Sequence, residues 1–346
     1  MRRRRQGRAR RRGGRHGAGP GAEAGVIQSP PKPGFVALRD PAVLPPAVAR
    51  PVVAIGNFDG VHRGHRGLIA RAVALAGRLG RPAAALTFEP HPSDHFARKS
   101  VIFRLTPAAA KALALSRLGL DAAITLGFDA ALAGLPAQDF VDEILVRRLA
   151  VSGVVVGDDF HFGKARAGTP AFLVEAGARA GFAVEIVARI AADEDGSLEA
   201  VSSTAIRKAL EAGDVRRAAH LLGHPWTVVG EVAHGRPRGR TLGFPTANLA
   251  LDPSTRLRHG IYAVRAEIDG TRRNGVASFG SRPTVDDGPP LLEVFLFDFS
   301  GDLYGRRMAV EFVDFLRDEV KFDGLDPLVA QMKRDADDAR AILAGD

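Results

Sequence analysis

The sequence predicts an α/β protein of two units: a parallel sheet flanked by helices, followed by a small β-barrel that ends in a helix. Three observations carry this reading. The chain has 346 residues, and at roughly 150 residues per domain that length houses two ordinary cores. Between Val52 and Val187, short apolar runs alternate with segments of helical spacing, the pattern of a parallel sheet with helices on both faces. At Pro225 the texture changes to short β-branched or aromatic runs separated by Gly-, Pro- and Asp-rich turns, which reads as an all-β unit. The boundary falls near 223–226.

The elements follow in order. Residues 1–34 are rich in Arg, Gly and Pro without hydrophobic periodicity and read as a disordered tail. Val52–Ile55 is a strand feeding a turn, and Leu68, Ile69, Ala72, Val73, Leu75 and Ala76, mostly three or four apart, make 64–80 a helix closed by Gly80. Strands are then expected at 83–88, 122–126, 151–156 and 182–187, and helices at about 106–118, 137–149 and 169–180. A helix follows Ser202, with a short one near 214–222. Ligands of such a sheet sit beyond the carboxyl ends of its strands. In the second half, strands are expected at 227–232, 260–268, 275–279, 292–297 and 308–315, and a helix at about 326–343.

Composition narrows the function classes. With no cysteine in the chain, disulfide frameworks, thiolate zinc sites, iron–sulfur clusters and Cys nucleophiles are excluded. The longest uncharged stretch, from Ala218 to Gly230, has 13 residues, against the roughly 18 a membrane helix needs. The net charge of +9 resides in nine arginines within the first fifteen residues, and the remainder balances at 39 basic and 39 acidic. A neutral body with a basic tip does not predict a nucleic-acid-binding face, so RNA contact is expected at most from the tail.

The strongest chemical signal is His62-x-x-His65 at a strand-to-helix turn, flanked by Gly56, Gly60 and Gly64. Two imidazoles there can face a phosphate already favoured by free backbone N–H groups and the helix dipole. That suits phosphoryl or nucleotidyl transfer, in which the enzyme positions groups and stabilises charge. Other motifs fail on spacing. Gly157–Lys164 has one residue too many between its glycines for a phosphate-binding Walker loop, and Ala165 stands where Ser or Thr is needed. His220 and His224 lack the Glu of a zinc helix, and His91 and His95 lie among prolines, off any regular helix. No Gly-x-Gly-x-x-Gly follows the first strand.

The segments Gly56-Asn-Phe-Asp-Gly-Val-His-Arg-Gly-His65, Thr87-Phe-Glu-Pro-His-Pro92, Gly157-Asp-Asp-Phe-His-Phe-Gly-Lys164 and Val201-Ser-Ser-Thr-Ala-Ile-Arg207 closely resemble, in order, motifs of the FMN adenylyltransferase module of bacterial bifunctional riboflavin kinase/FAD synthetases. Gly239-Arg-Thr-Leu-Gly-Phe-Pro-Thr-Ala-Asn-Leu249, Gly260-Ile-Tyr-Ala263, Gly280-Ser-Arg-Pro-Thr284 and Leu292–Gly305 resemble the riboflavin kinase module of the same family. The resemblance covers the chain from Phe35 onward. It implies a Rossmann-like nucleotidyltransferase domain at 35–223 and a small β-barrel riboflavin kinase domain at 224–346. Riboflavin and ATP would give FMN and ADP in the barrel, and FMN and ATP would give FAD and pyrophosphate in the α/β module, both with Mg²⁺. The partners implied are these small molecules in the cytoplasm, with no membrane, no nucleic acid beyond the tail, and weak homo-oligomerisation at most.

Carried over by motif, the resemblance makes His62, His65 and Arg207 catalytic in the first module. Gly56, Asn57, Phe58, Asp59, Gly60, Ser203 and Thr204 would bind ATP phosphates. Two hydroxyls and a guanidinium near a helix start suit a triphosphate, although Ser202-Ser203-Thr204 also reads as a helix N-cap. Phe88, Pro90, Pro92 and Asp159 would lie on the flavin side. In the second module Gly239 and Gly243 would contact nucleotide, Thr246 and Asn248 would bind Mg²⁺ and ATP phosphates, and Glu293 would take the proton from the ribityl 5′-hydroxyl. Taken without the family, Pro245–Asn248 reads as a turn and Glu293 as a strand residue facing solvent. Ser278 stands where the kinase module often has Asn, Phe295 where His is frequent, and Asp159 where some members have Asn. The competing readings are another nucleotidyltransferase of the same superfamily, acting on nicotinamide mononucleotide or phosphopantetheine, and an RNA-binding protein driven by the tail.

Overall fold

The computed structural model describes residues 30–98, 102–188, 201–233, 244–280 and 290–345. The arginines of the tail, Gly239, Gly243 and the Ser281–Thr284 motif lie outside the described residues.

The first unit is a six-stranded sheet in the order β1-β4-β3-β2-β5-β6, with every neighbouring pair parallel. Its strands are β1 (Val36–Arg39), β2 (Val52–Ile55), β3 (Ala83–Glu89), β4 (Ala122–Gly127), β5 (Gly153–Gly157) and β6 (Ala183–Val187). Five of these match the expected strands. The sixth, β1, is an edge strand whose half-buried and exposed positions alternate, without the continuous buried apolar run that marks β2 at the same length. Lys32, placed in the tail by the sequence reading, is tied to the body: its N–H donates to Ser116 O at 2.8 Å and its ammonium pairs with Asp121 at 2.7 Å.

Helix α1 (Arg63–Leu79) buries Leu68, Ile69, Ala72, Leu75 and Ala76 against the sheet and ends at Gly80 in the left-handed region (φ 60°). The chain runs from β2 outward through β3 to β4, then crosses to β5 on the other side of β2. The carboxyl ends of β2 and β5 therefore flank the topological switch point, where ligands of open α/β sheets bind. Two helices were not foreseen, α2 (Pro92–Ala97) and α4 (Ala130–Gly134). The reading of His91 and His95 as lying off any helix is corrected: His91 caps α2 and His95 lies within it. Pro92 occupies the first turn, where a missing N–H costs nothing. The segment expected as a helix at 137–149 starts with one short turn, α5 (Ala137–Asp139), and continues as a π-helix over Phe140–Arg148. Helices α3 (Ala108–Ser116), α6 (Pro170–Ala180), α7 (Ser203–Glu211) and α8 (Val215–Leu222) stand where expected.

The second unit is a closed barrel, β10-β11-β8-β7-β12-β9. Its strands are β7 (Trp226–Ala233), β8 (Thr246–Ala250), β9 (Gly260–Ile268), β10 (Thr271–Gly280), β11 (Leu291–Leu296) and β12 (Arg307–Arg317). Alternate residues such as Ala247, Leu249, Ala277, Leu292, Val294 and Val310 fill the interior. The turn expected at Pro245–Asn248 is corrected to the start of β8, which pairs antiparallel with β11 and β7. Pro immediately before a strand is tolerated, and the pairing partners that override the local signal are distant in sequence. Helix α9 (Leu325–Ala344) packs outside the barrel, with Ala336, Ala339 and Leu343 against Ala263 and Phe297.

The two units share one core. Phe103, Leu105, Ile206, Leu210, Leu221 and Leu222 of the first pack continuously with Trp226, Tyr262 and Phe312 of the second.

Candidate active sites

The loop between β2 and α1 carries the first site. Phe58, Gly60 and Val61 all have positive φ (49°, 86° and 47°). For Phe and β-branched Val this costs on the order of 1–3 kcal/mol each and persists only under constraint. The constraint is visible: Gly60 N–H donates to Thr106 Oγ1 (2.8 Å), and Thr106 N–H donates to the buried Asp59 carboxylate (3.0 Å). A Cβ on Gly60 would meet Leu105 at 2.9 Å, so the left-handed turn is also sterically reserved for glycine.

His62 caps α1, its Nδ1 accepting from His65 N–H at 3.4 Å. The two imidazoles stack 3.7 Å apart, with Phe58 edge-on to His65. His65 Nδ1 is sealed from solvent and has no hydrogen-bond partner among the described residues. Burial pushes His62 down to about 4 against the opposing Asp59 charge. Burial, then His62, then Lys111 hold His65 well below the ordinary histidine range. Both rings are thus neutral at neutral pH, and a phosphate entering here meets hydrogen-bonding imidazoles whose protonation its charge favours. Behind the loop, His224 Nε2 lies 3.1 Å from Gly60 O.

Arg207 is brought to this loop from α7. Its Nη2 pairs with Asp59 at 2.5 Å and its Nε donates to Phe103 O at 2.7 Å. Ser203 Oγ donates to Asp59 O (3.0 Å), Thr204 is exposed at the start of α7, and the cap expected among these hydroxyls is supplied by Ser202, which accepts from Ala205 N–H. Gly56 N–H bonds to β3 at Leu86 O, and Asn57 O accepts from Thr87 Oγ1 at 3.1 Å.

Phe88 lies at the carboxyl end of β3, which neighbours β2, and Pro90 and Pro92 follow it directly into α2. Phe88 contacts Phe128 edge-on, and Phe128 also meets His95 and the largely exposed Phe96. Asp159 follows β5, on the opposite flank of β2 from β3. Sequence reasoning missed Lys111 and Arg104. Lys111, a residue only 4% exposed, places its ammonium 2.8 Å from Glu89 and 3.3 Å from Thr87 Oγ1, and Arg104 pairs with the same Glu89. A lysine within the otherwise Ala/Leu-rich stretch 108–115 was the available signal.

The second site is set by strand register. Glu293 on β11 faces Asn248 on β8 and Ser278 on β10, and Phe295 faces Thr246. Their neighbours Ala247, Leu249, Leu292 and Val294 point inward, so alternation puts Thr246, Asn248, Glu293 and Ser278 together on the outer face. Asn248 is nevertheless 5% exposed. Partial burial raises the Glu319 carboxyl; His259, Arg317 and a hydrogen bond from Ser278 oppose this, and the Glu293 charge reinforces it. Phe295, where His is frequent, packs on Phe244 and Phe297. Glu319 was not foreseen.

A stacked imidazole pair at a sheet's switch point, joined to a barrel with a carboxylate and oxygen donors in one register row, defines a two-module enzyme of nucleotide chemistry. Residues 45–205 match the FAD synthetase family model and residues 222–343 the riboflavin kinase model. A bifunctional riboflavin kinase/FMN adenylyltransferase of Pseudomonas fluorescens is 44% identical over 85% of this chain and 93% of its own length. That of Escherichia coli K12 is 40% identical over 84% and 91%. A crystal structure described as a macrolide-efflux protein from Streptococcus pneumoniae is 33% identical and superposes with a TM-score of 0.73 over 88% of this chain and 98% of that one. The chain belongs to the bifunctional riboflavin kinase/FMN adenylyltransferase family. No described helix is long and apolar enough to cross a membrane.

Proposed function

We propose that the two sites divide the family's two reactions as follows, the barrel phosphorylating riboflavin and the α/β unit adenylylating the product. The chain converts riboflavin to FMN and FMN to FAD. The observation that carries the division is that each half holds its own set of convergent polar groups: stacked His62 and His65 in one, Asn248 opposite Glu293 in the other. The domains proposed are 35–223 and 224–346, the second beginning just after Gly223 closes α8.

In the barrel, Glu293 accepts the proton of the ribityl 5′-hydroxyl as its oxygen attacks the γ-phosphorus of ATP, giving FMN and ADP. Thr246 and Asn248 offer a hydroxyl and an amide oxygen beside that carboxylate, a hard donor set that fits Mg²⁺, which keeps most of its waters. Mg²⁺ bound there would offset phosphate charge. Gly239 and Gly243 are assigned to the nucleotide loop by motif alone.

In the α/β unit, an FMN phosphate oxygen attacks the α-phosphorus of ATP and pyrophosphate leaves. His62 and His65 donate to phosphate oxygens as charge builds, helped by the α1 N-terminus. Gly56, Asn57, Phe58, Asp59 and Gly60 shape the loop, with Ser203, Thr204 and Arg207 at its side. Arg207 acts here chiefly by bracing Asp59, and the flavin rests near Phe88, Pro90 and Pro92, with Asp159 across β2. ATP as co-substrate of both steps supports a cytoplasmic location.

The test is chromatography of flavins and nucleotides after incubating the purified protein with riboflavin, ATP and Mg²⁺, alongside a reaction started from FMN. Transient FMN followed by FAD, with ADP and pyrophosphate, is expected, and chelation of Mg²⁺ should stop both steps. Failure to form FAD from FMN would remove the assignment of the first site.

A further inference from the structure

Residues 103–106 form an irregular, bent segment in which every member is tied to something else. Phe103 O accepts from Arg207 Nε, and Leu105 O accepts from Trp226 Nε1 of the barrel at 2.8 Å. Thr106 holds Asp59 and Gly60 of the phosphate loop. Arg104 reaches in both directions: its side chain pairs with Glu89 and approaches Asp252 at 3.8 Å, and its N–H donates to Ser254 Oγ at 3.0 Å. Ser254 is fixed in turn by Asp252 Oδ1, which accepts from its N–H at 2.9 Å and its hydroxyl at 2.5 Å. That turn follows β8 by two residues.

From Glu89 the chain continues inward. Lys111 bonds Glu89 at 2.8 Å and Thr87 at 3.3 Å, and Thr87 donates to the main-chain oxygen of Asn57 in the phosphate loop. Glu89 and Lys111 are 5% and 4% exposed. A buried ion pair of this kind is poor evidence for stability, since an apolar pair of equal volume often serves as well. What the pair holds is the more telling feature. Lys111 is close enough to the imidazoles of His65 and His91 for its charge to add to the effect of burial in holding both below the ordinary range, although Asp59 opposes this at His91.

We propose that Lys111, Glu89 and Arg104 form a positioning chain for adenylyl transfer, anchored in the barrel by the Asp252–Ser254 turn, so that the α/β site works at full rate only when braced by the other module. This deepens the functional reading above and rests on it. None of the three need touch the reacting atoms. They hold the Asn57 end of the loop as Thr106 and Arg207 hold its Asp59 end.

The test is steady-state kinetics on the full chain for Lys111→Met, Asp252→Asn and the double variant, with FAD formation from FMN and FMN formation from riboflavin measured on the same samples. Lys111→Met should lower kcat for FAD formation about tenfold or more at unchanged KM for ATP, the mark of an interaction felt in the transition state. Asp252→Asn, on the barrel side, should lower it about threefold. Both should leave FMN formation intact, and the double variant should be no slower than Lys111→Met alone, since the two belong to one chain. Losses that multiply in the double variant, equal losses in both reactions, or unchanged FAD formation in Asp252→Asn would each overturn the proposal. If Lys111→Met does not fold, Arg104→Lys with Asp252→Asn makes the same cycle. A wild-type protein that makes no FAD from FMN would instead defeat the functional reading beneath it.

Discussion

The two sites of this chain are built by opposite means. In the α/β unit, a loop with three left-handed residues is held by buried side chains that are already paired: Asp59 with Thr106 and Arg207, Glu89 with Lys111 and Arg104. In the barrel, the row of Thr246, Asn248, Glu293 and Ser278 to which we assign the kinase chemistry comes from strand register on an outer face, and regular pairing places it without backbone strain. A loop site spends stability on its shape, so substitutions there should register in both folding and catalysis. A register site draws its shape from the sheet, so a side-chain change there should register in catalysis almost alone.

The predictions that test this contrast run from large to small. Glu293→Gln should lower FMN formation by about 10²- to 10⁴-fold, the range of a lost general base, at an unchanged melting temperature and with FAD formation from supplied FMN preserved. A large drop in melting temperature would break the register half of the comparison. His65→Ala should lower FAD formation by about 10²- to 10³-fold while FMN formation continues. Chromatography of the two products checks both.

Stability should depend on pH through the loop site. His62 is held at about 4 against an ordinary 6.5, so between those values the unfolded chain binds the extra proton. The contribution is complete above about pH 6.5 and is lost as pH falls toward 4, on the order of 3 kcal/mol in all. Urea unfolding at about pH 7 and about pH 4.5 should show a smaller drop for His62→Asn than for the natural chain; equal drops would contradict the buried, neutral imidazole. The smallest effect concerns the shared core. Trp226→Phe removes the donor to Leu105 O and should cost about 1–2 kcal/mol, with FAD formation more affected than FMN formation.

Much of this was legible in the sequence, and unevenly. The β2–α1 site was readable because strand, glycine turn, His-x-x-His and helix are contiguous, so one local pattern states both geometry and chemistry. The other five strands of the sheet and helix α1 were readable from their apolar runs and periodicity for the same reason. Strand β8 was not, because Pro245-Thr-Ala-Asn carries no apolar alternation and becomes a strand only through pairing with β7 and β11. Lys111 and Arg104 gave no motif: their role lies in bonds to Glu89 and Asp252, the second nearly 150 residues away in the chain. Glu319 is hidden likewise, brought beside Ser278 and Glu293 by barrel closure.

The central claim is that one chain holds two separate active sites, each carrying out one of the two reactions. It is tested most directly by mixing Glu293→Gln and His65→Ala proteins with riboflavin, ATP and Mg²⁺ and following FAD. Each variant alone should yield almost none, the first lacking FMN to adenylylate and the second stopping at FMN, while the mixture should make FAD at a substantial fraction of the natural rate. A mixture as inactive as its components, with both variants folded, would show that the sites are not separable and would contradict the account.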